Sequence, residues 1–222
     1  MKVLCIVQAR MGSSRLPGKV MKKLHGKPMI TYTLEALKRS KYIDQIVLAT
    51  SNKEIDTPLA EYVASLGIEV FRGDESNVLE RYKQASDKYK GDVIVRVTGD
   101  CPLIDSIICD NVITKYLMYK DVYDYVRLDV PSTFQRGYDT EVFSKDALSK
   151  VYKKVCCNDK QSDRLYDKYR EHVTLYIYNH KEEFNVGIVK GEGKYLENKD
   201  INISVDEEAD FQRVANVLID NT

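Results

Sequence analysis

VLCIVQARMGSSRLPGK, residues 3–19, joins an apolar run at Val3–Val7 directly to a loop rich in small and cationic residues. The run is too short for a signal-peptide core or a membrane span, and it reads as a buried strand over Lys2–Gln8. In an open α/β sheet, ligands sit beyond the carboxyl ends of the strands. At that end, Gly12, Ser13 and Ser14 can turn tightly and aim backbone N–H groups inward, making a concavity suited to phosphate oxygens. Arg10, Arg15 and Lys19 add three cations within ten residues. Arg grips phosphate in bidentate fashion, whereas Lys acts as a point charge. On composition alone, a solvated basic loop is an equal reading. The spacing matches neither the Gly-x4-Gly-Lys-Ser/Thr phosphate loop nor the Gly-x-Gly-x-x-Gly dinucleotide fingerprint, which argues against a P-loop kinase and an ordinary dehydrogenase.

Outward from this loop, strand and helix signals alternate. Met29–Arg39 carries Ile30, Leu34 and Leu37 at helical spacing, and Gln45–Thr50 is β-like. Ile55–Leu66 reads as a helix stopped by Gly67, with Pro58 tolerable because it falls in the first turn. Ile68–Phe71 is a short strand. Asn77–Tyr89 sets Val78, Leu79, Tyr82, Ala85 and Tyr89 on one helical face, and Asp92–Val97 is a further strand. This order predicts an α/β fold, with a mostly parallel central sheet and helices on both faces. The second half is less regular. Helices are expected at Ser106–Tyr119 and from Lys145, and strands at Asp121–Leu128 and Thr140–Phe143. Val155–Glu171 is polar and reads as helical or mobile. Val173–Tyr178 and Phe184–Val189 are expected to pair as strands, Ile201–Val205 to form a last strand, and Asp206–Ile219 a closing helix. No internal repeat or Pro/Gly/Ser linker divides the chain. One domain over 1–222 follows, with a nucleotide-binding half at about 1–105 and a β-rich arm in an acceptor and dimer half at about 106–222.

The 222 residues are 43% hydrophobic and 31% charged, enough to bury a core and stay soluble. Lys+Arg and Asp+Glu both total 34, so no bulk preference for nucleic acid or an anionic membrane is expected. Five cysteines, with no Cys-x-x-Cys, suit reduced thiols in the cytoplasm; the adjacent Cys156 and Cys157 read as incidental.

Two acidic positions complement the cationic loop. Val93–Val97 runs into Thr98-Gly99-Asp100-Cys101-Pro102, a turn that can point Asp100 into the same crevice. Magnesium takes hard oxygen ligands and often combines one or two carboxylates with substrate phosphates, so Asp100 suits it. A turn-forming or capping Asp is the alternative, and for Asp105, directly before a helix, capping is favoured. Asp206 follows Ile201–Val205 at a helix start, where capping is likewise the favoured reading on the residues alone. Ser76 and Asn77 have an ordinary helix N-cap as an equal reading. His25 and His180 read as surface residues.

The segment VQARMGSSRLPGKVMKKLHGKPMI, residues 7–30, closely resembles the N-terminal signature of cytidylyltransferases, especially the spore coat polysaccharide biosynthesis protein F type. Wider relatives are the 3-deoxy-manno-octulosonate and acylneuraminate cytidylyltransferases. VRVTGDCPLID, residues 95–105, resembles the second signature. The likeness runs from about Lys2 to Phe211. It implies a nucleotide-diphospho-sugar transferase fold and a loop that wraps CTP, with Ala9, Arg10, Gly12, Ser13, Ser14, Thr98 and Gly99 as nucleotide contacts. Arg15 and Lys19 become catalytic neutralisers of phosphate charge, and Asp100 and Asp206 the ligands of catalytic Mg2+. FRGDESNVLERY, residues 71–82, resembles the loop around nucleobase and ribose, which casts Ser76 and Asn77 as readers of cytosine. Arg136–Phe143 and Arg170–Thr174 match the same pattern. They offer Asp139, Glu141 and His172 to contact the acceptor or to order its loop. Where related sugar-acid enzymes carry Gln and Glu around the second signature, this chain has Thr98 and Cys101, and Leu175 stands where relatives have Pro. These departures leave open whether the acceptor is a sugar acid, a sugar or another small hydroxyl- or phosphate-bearing metabolite.

The resemblance thus implies transfer of CMP from CTP to a small acceptor with release of pyrophosphate, and, since relatives are commonly dimers, a homodimer built on the second half. A glycosyltransferase of the same fold would consume a nucleotide sugar and turn over no triphosphate. A catalytically silent homologue would bind CTP without turnover, and the joint presence of Arg15, Lys19, Asp100 and Asp206 speaks against it.

Overall fold

The computed structural model describes residues 1–157 and 164–220. In chain order the first half forms β1 (Val3–Gln8), β2 (Lys23–Leu24), β3 (Lys27–Pro28), α1 (Met29–Leu37), β4 (Gln45–Ser51), α2 (Thr57–Ser65), β5 (Glu69–Gly73), α3 (Val78–Tyr89) and β6 (Val93–Thr98). The second half adds α4 (Ser106–Met118), β7 (Tyr125–Leu128), β8 (Glu141–Ser144), α5 (Lys145–Cys156), α6 (Arg164–Glu171), α7 (Leu175–Asn179), β9 (Val186–Val189), α8 (Lys194–Glu197) and α9 (Glu208–Asp220). Seven strands make one sheet in the order β5-β4-β1-β6-β8-β7-β9. Within it, β8 pairs antiparallel with both neighbours, while the other ladders are parallel.

Strand β1 shows why the sheet is covered on both faces. Val3, Cys5 and Val7 pack into one core with α1, α2, α4 and α9, and Leu4 and Ile6 into another with α3, α5, α6 and α7. Alternate side chains of a strand point to opposite faces, so an unbroken apolar run is what two helical layers require. Helix α4 is started by Asp105, whose carboxylate accepts the amides of Ile107 at 2.7 Å and Ile108 at 3.3 Å, the capping role its sequence favours.

The first half follows the expected order, and the second half departs from it in three places. The strands β7–β9 extend the central sheet, so no separate β-rich arm forms among the described residues. Val173–Tyr178 is not a strand: α7 occupies Leu175–Asn179, and β9 pairs with β7 instead. Its buried residues, Val173, Thr174, Tyr176 and Ile177, follow helical rather than alternating spacing, and this packing overrides the β propensity of Val, Thr, Tyr and Ile. Ile201–Val205 is not a ladder strand either. Its amides are shared between two segments, Ile203 donating to the Arg136 carbonyl and Val205 to that of Asp100, both at 2.8 Å. Of the segment Val155–Glu171, residues 164–171 are helical, and residues 158–163 lie outside the described residues.

Candidate active site

The chain leaves β1 for β4 and β5 on one side, then returns to lay β6 on the other side of β1. The loops after β1 and β6 therefore emerge side by side at a reversal of strand order, where open α/β sheets bind ligands. Gly99 brings them into contact. Its amide donates to the Gln8 carbonyl at 2.8 Å, and a Cβ there would stand 2.7 Å from the Ala9 Cβ. Only a residue without a side chain fits that approach.

The loop after β1 is closed on itself. The Met11 carbonyl accepts the amides of Ser13 at 2.9 Å and Gly18 at 2.8 Å, and the Met11 amide donates to the buried Asp56 carboxylate at 2.6 Å. The Ser51 hydroxyl holds the other oxygen of Asp56. Gly18 then takes a φ of 70°, the left-handed turn that starts a 3-10 helix at Lys19–Met21 and drives the Lys19 side chain inward. Arg10 stands 3.4 Å from the Glu75 carboxylate, across the loop from Gly12.

Lys19 is the centre of the charged site. It is only 8% exposed, and its Nζ donates to the Val205 carbonyl at 2.6 Å, to Asp206 Oδ1 at 3.0 Å and to Asp100 Oδ2 at 3.3 Å. Arg15 reaches the same Asp206 oxygen at 2.9 Å. The hydrogen bond from the Val205 amide to the Asp100 carbonyl sets the two aspartates side by side although 106 positions separate them (206 − 100). Asp206 does not cap α9. The amides of Asp206 and Glu207 are taken by the Asp210 carboxylate at 2.9 and 3.0 Å, which leaves the Asp206 side chain to the cleft. Cys101, next to Asp100, is buried. Burial and then the Asp100 and Asp139 charges push its thiol well above the usual range, so it stays protonated and donates to Asp100 Oδ1 at 3.6 Å. Its place here is that of a donor, not a thiolate nucleophile.

Arg15, Lys19, Asp100 and Asp206 line a cavity of about 280 Å³ that also takes in Ala9, Ser13, Ser14, Thr98 and Gly99. Arg10, Val78 and Glu171 are shared with a neighbouring hollow of about 620 Å³ that holds Ser76 and Asn77. Asn77 caps α3: its Oδ1 accepts the Glu80 amide at 3.1 Å. Ser76 is exposed at the rim, its amide bonded to Asp74 Oδ1 at 2.8 Å. His172 is exposed and lines the first cavity. Asp139 and Glu141 lie outside both hollows. Asp139 accepts the Gly137 amide at 2.8 Å, and burial raises its pKa. Glu141 is 8% exposed and bonded wholly within the chain, so of the two readings from sequence, acceptor contact or ordering of the acceptor loop, its placement favours the second.

The family model of cytidylyltransferases matches residues 4–218 of this chain. The chain belongs to the cytidylyltransferase family. It is 32% identical over 216 residues to the spore coat polysaccharide biosynthesis protein SpsF of Bacillus subtilis, covering 96% of this chain and 84% of that protein. It is 26% identical over 181 residues to a 3-deoxy-manno-octulosonate cytidylyltransferase of Solibacter usitatus, covering 80% and 71% of the two chains. A cytidylyltransferase structure from Leptospira borgpetersenii superposes with a TM-score of 0.87 at 32% identity, over 99% of this chain and 87% of the other.

Within this cytidylyltransferase, the cleft also holds residues that the sequence does not single out, Glu171 and Arg81 among them. Arg81 is 2% exposed and lines the cavity. Its Nη1 holds the carbonyls of Asp74 at 2.7 Å and Glu75 at 3.3 Å, and its Nε, also buried, has no partner among the described residues. Burial lowers its pKa. The signal available was an Arg at an inward position of the α3 face, beside Val78 and Tyr82.

Proposed function

We propose that this cytidylyltransferase moves CMP from CTP to a sugar or sugar acid, for surface polysaccharide or glycan synthesis, and that it acts in the cytoplasm with magnesium. The observation that carries the reading is the convergence of Arg15, Lys19, Asp100 and Asp206 at the β1/β6 reversal. The spore-coat and 3-deoxy-manno-octulosonate relatives supply the acceptor class.

An acceptor oxygen attacks the α-phosphorus of CTP in line with the departing pyrophosphate. Such catalysis is largely positioning and charge neutralisation. The β1 loop offers backbone amides to phosphate oxygens, and Arg15 and Lys19 offset the charge gathering on pyrophosphate. Asp100 and Asp206 fit magnesium by chemistry and number. Among the described residues no group of three or more His, Cys, Asp or Glu side chains is arranged for a metal, and a pair of carboxylates suits an ion whose remaining ligands are phosphate oxygens and water. Bound there, the ion would polarise phosphoryl oxygens.

CTP with magnesium should raise the melting temperature more than ATP, GTP or UTP does, because ligand free energy accrues to the native state alone. Equal shifts with all four nucleotides would remove the cytidylyl assignment while sparing the phosphate site.

The proposed assembly is a homodimer through the second half. Tyr125, Tyr169 and Tyr176 are buried within the chain and unavailable to it, whereas Met118, Tyr119 and Val122 are among the exposed apolar side chains of this half that can serve as contact surface. Light scattering should give twice the 25.5 kDa chain mass at high micromolar concentration; a monomer there would end the idea. Among the described residues no helix is long and apolar enough to cross a membrane.

A further inference from the structure

Glu141 stands outside the cleft, yet its carboxylate ties together one of the cleft's walls. Oε2 accepts Arg96 Nη1 at 2.6 Å, and Oε1 accepts the hydroxyls of Tyr125 at 2.6 Å, Tyr178 at 2.8 Å and Thr174 at 3.0 Å. Arg96 lies on β6, two residues before Thr98, and is the register partner of Glu141 on β8. Tyr125 lies on β7. Thr174 and Tyr178 belong to α7 and its N-cap. Burial pushes the carboxyl up, but Arg96 and the phenol donors outweigh it and hold the group below the usual carboxylate range. A buried carboxylate that stays ionised accepts hydrogen bonds without donating any, so the Thr174 hydroxyl donates to it, while the Tyr125 and Tyr178 hydroxyls, 2.6 Å apart, share their two protons between each other and the carboxylate.

The wall at stake is Glu171–His172, which lines the cavity together with the β1 loop. Among the described residues, no hydrogen bond or ion pair fixes the side chain of either. Their position is inherited from the backbone: the His172 amide donates to the Lys168 carbonyl at 2.8 Å, and the Leu175 amide to the His172 carbonyl at 2.9 Å. That turn is packed by Val173, Tyr176 and Ile177, apolar contacts that resist separation but are poor at fixing angle. Hydrogen bonds are directional, and Thr174 supplies one two residues from His172. Its hydroxyl makes no cap bond in α7, so its bonds to Glu141 are not a by-product of helix capping.

We propose that Glu141 is a positioning residue that fixes, through Thr174, where Glu171 and His172 stand over the cleft. Its effect on nucleotide binding rests on the cytidylyl-transfer reading; its effect on His172 does not. Two variants that each remove a hydroxyl from the same carboxylate test it. Thr174→Val cuts the link to the wall, whereas Tyr125→Phe cuts a link from the sheet. In spectra of histidine-labelled protein, with His172 assigned by His172→Gln, Thr174→Val should displace or broaden the His172 ring signal. Calorimetry should show MgCTP binding weakened by on the order of tenfold or more, within the scale that a ~1 Å misplacement can carry. Tyr125→Phe should lower the melting temperature yet leave both readouts near wild type. An unmoved His172 signal or unchanged affinity in Thr174→Val overturns the proposal, as does an equal displacement by Tyr125→Phe. If wild-type protein does not bind MgCTP, the cytidylyl reading fails and the His172 spectrum alone decides.

Discussion

Replacing Asp100 with Asn is expected to lower pyrophosphate release from CTP by on the order of 10³-fold or more, with the fold left in place. Asn keeps the size of the side chain and removes its negative charge from the proposed magnesium shell. Loss of a metal ligand in phosphoryl transfer should cost several kcal/mol of transition-state stabilisation. The backbone bond of this position survives, because the Asp100 carbonyl accepts the Val205 amide whatever the side chain, and Lys19 keeps Asp206 and the Val205 carbonyl as partners. Asp206→Asn should behave alike, and since the α9 amides are held by Asp210, it removes no helix cap. The assay pairs thermal melts with turnover at saturating CTP and varied magnesium. Near-native turnover of Asp100→Asn at ordinary magnesium would sink its catalytic role, and the same result for Asp206→Asn would remove it from the metal shell.

The contrast between these two aspartates marks how far the sequence could be read. Asp100 sits at the end of a strong strand signal, in a turn that had to open at the carboxyl edge of the sheet, so its place followed from local pattern. Asp206 had no such anchor. Its approach, Ile201–Val205, resembles a strand but is extended chain stitched between Arg136 and Asp100, and those partners are distant in sequence. Local periodicity carries no information about such pairings. On residues alone, capping was the favoured reading, and only family resemblance moved Asp206 into the cleft.

The first half was legible because β1, β4 and β6 are largely buried on both faces and each helix offers one apolar side, so periodicity and burial agree. In the second half they conflict. Val173–Tyr178 has β-branched and aromatic residues that favour a strand, yet it packs as a helix against the sheet. Glu141 reads in sequence as a polar residue available to a ligand. It is instead neutralised by Arg96, its partner in register across β6 and β8, and that pairing required knowing the antiparallel strand. Arg81 illustrates the converse: a charged side chain on an apolar helix face looks solvent-bound until the β5–α3 loop folds over it and lends it two carbonyls.

Lys19→Met should reduce turnover by on the order of 10²–10³-fold, the cost of removing one preorganised donor from developing charge. The same substitution should reveal the metal site through stability. Lys19 is the buried cation between Asp100 and Asp206, at 3.3 and 3.0 Å, with Arg15 touching only Asp206. Methionine fills much of the same space but leaves Asp100 without its cation and the Val205 carbonyl without its donor. A loss of about 1–3 kcal/mol follows from stranding such groups. Magnesium should return part of that loss, because a divalent ion at the two carboxylates replaces the missing charge. In wild-type protein, by contrast, the ion gains less, since Lys19 already neutralises them. Added magnesium should therefore raise the melting temperature of Lys19→Met more than that of wild type. In Lys19→Met combined with Asp100→Asn and Asp206→Asn, the added rise should vanish. An equal magnesium shift in wild type and Lys19→Met would show that the ion does not bind at Asp100 and Asp206, and that the lysine serves the phosphates alone.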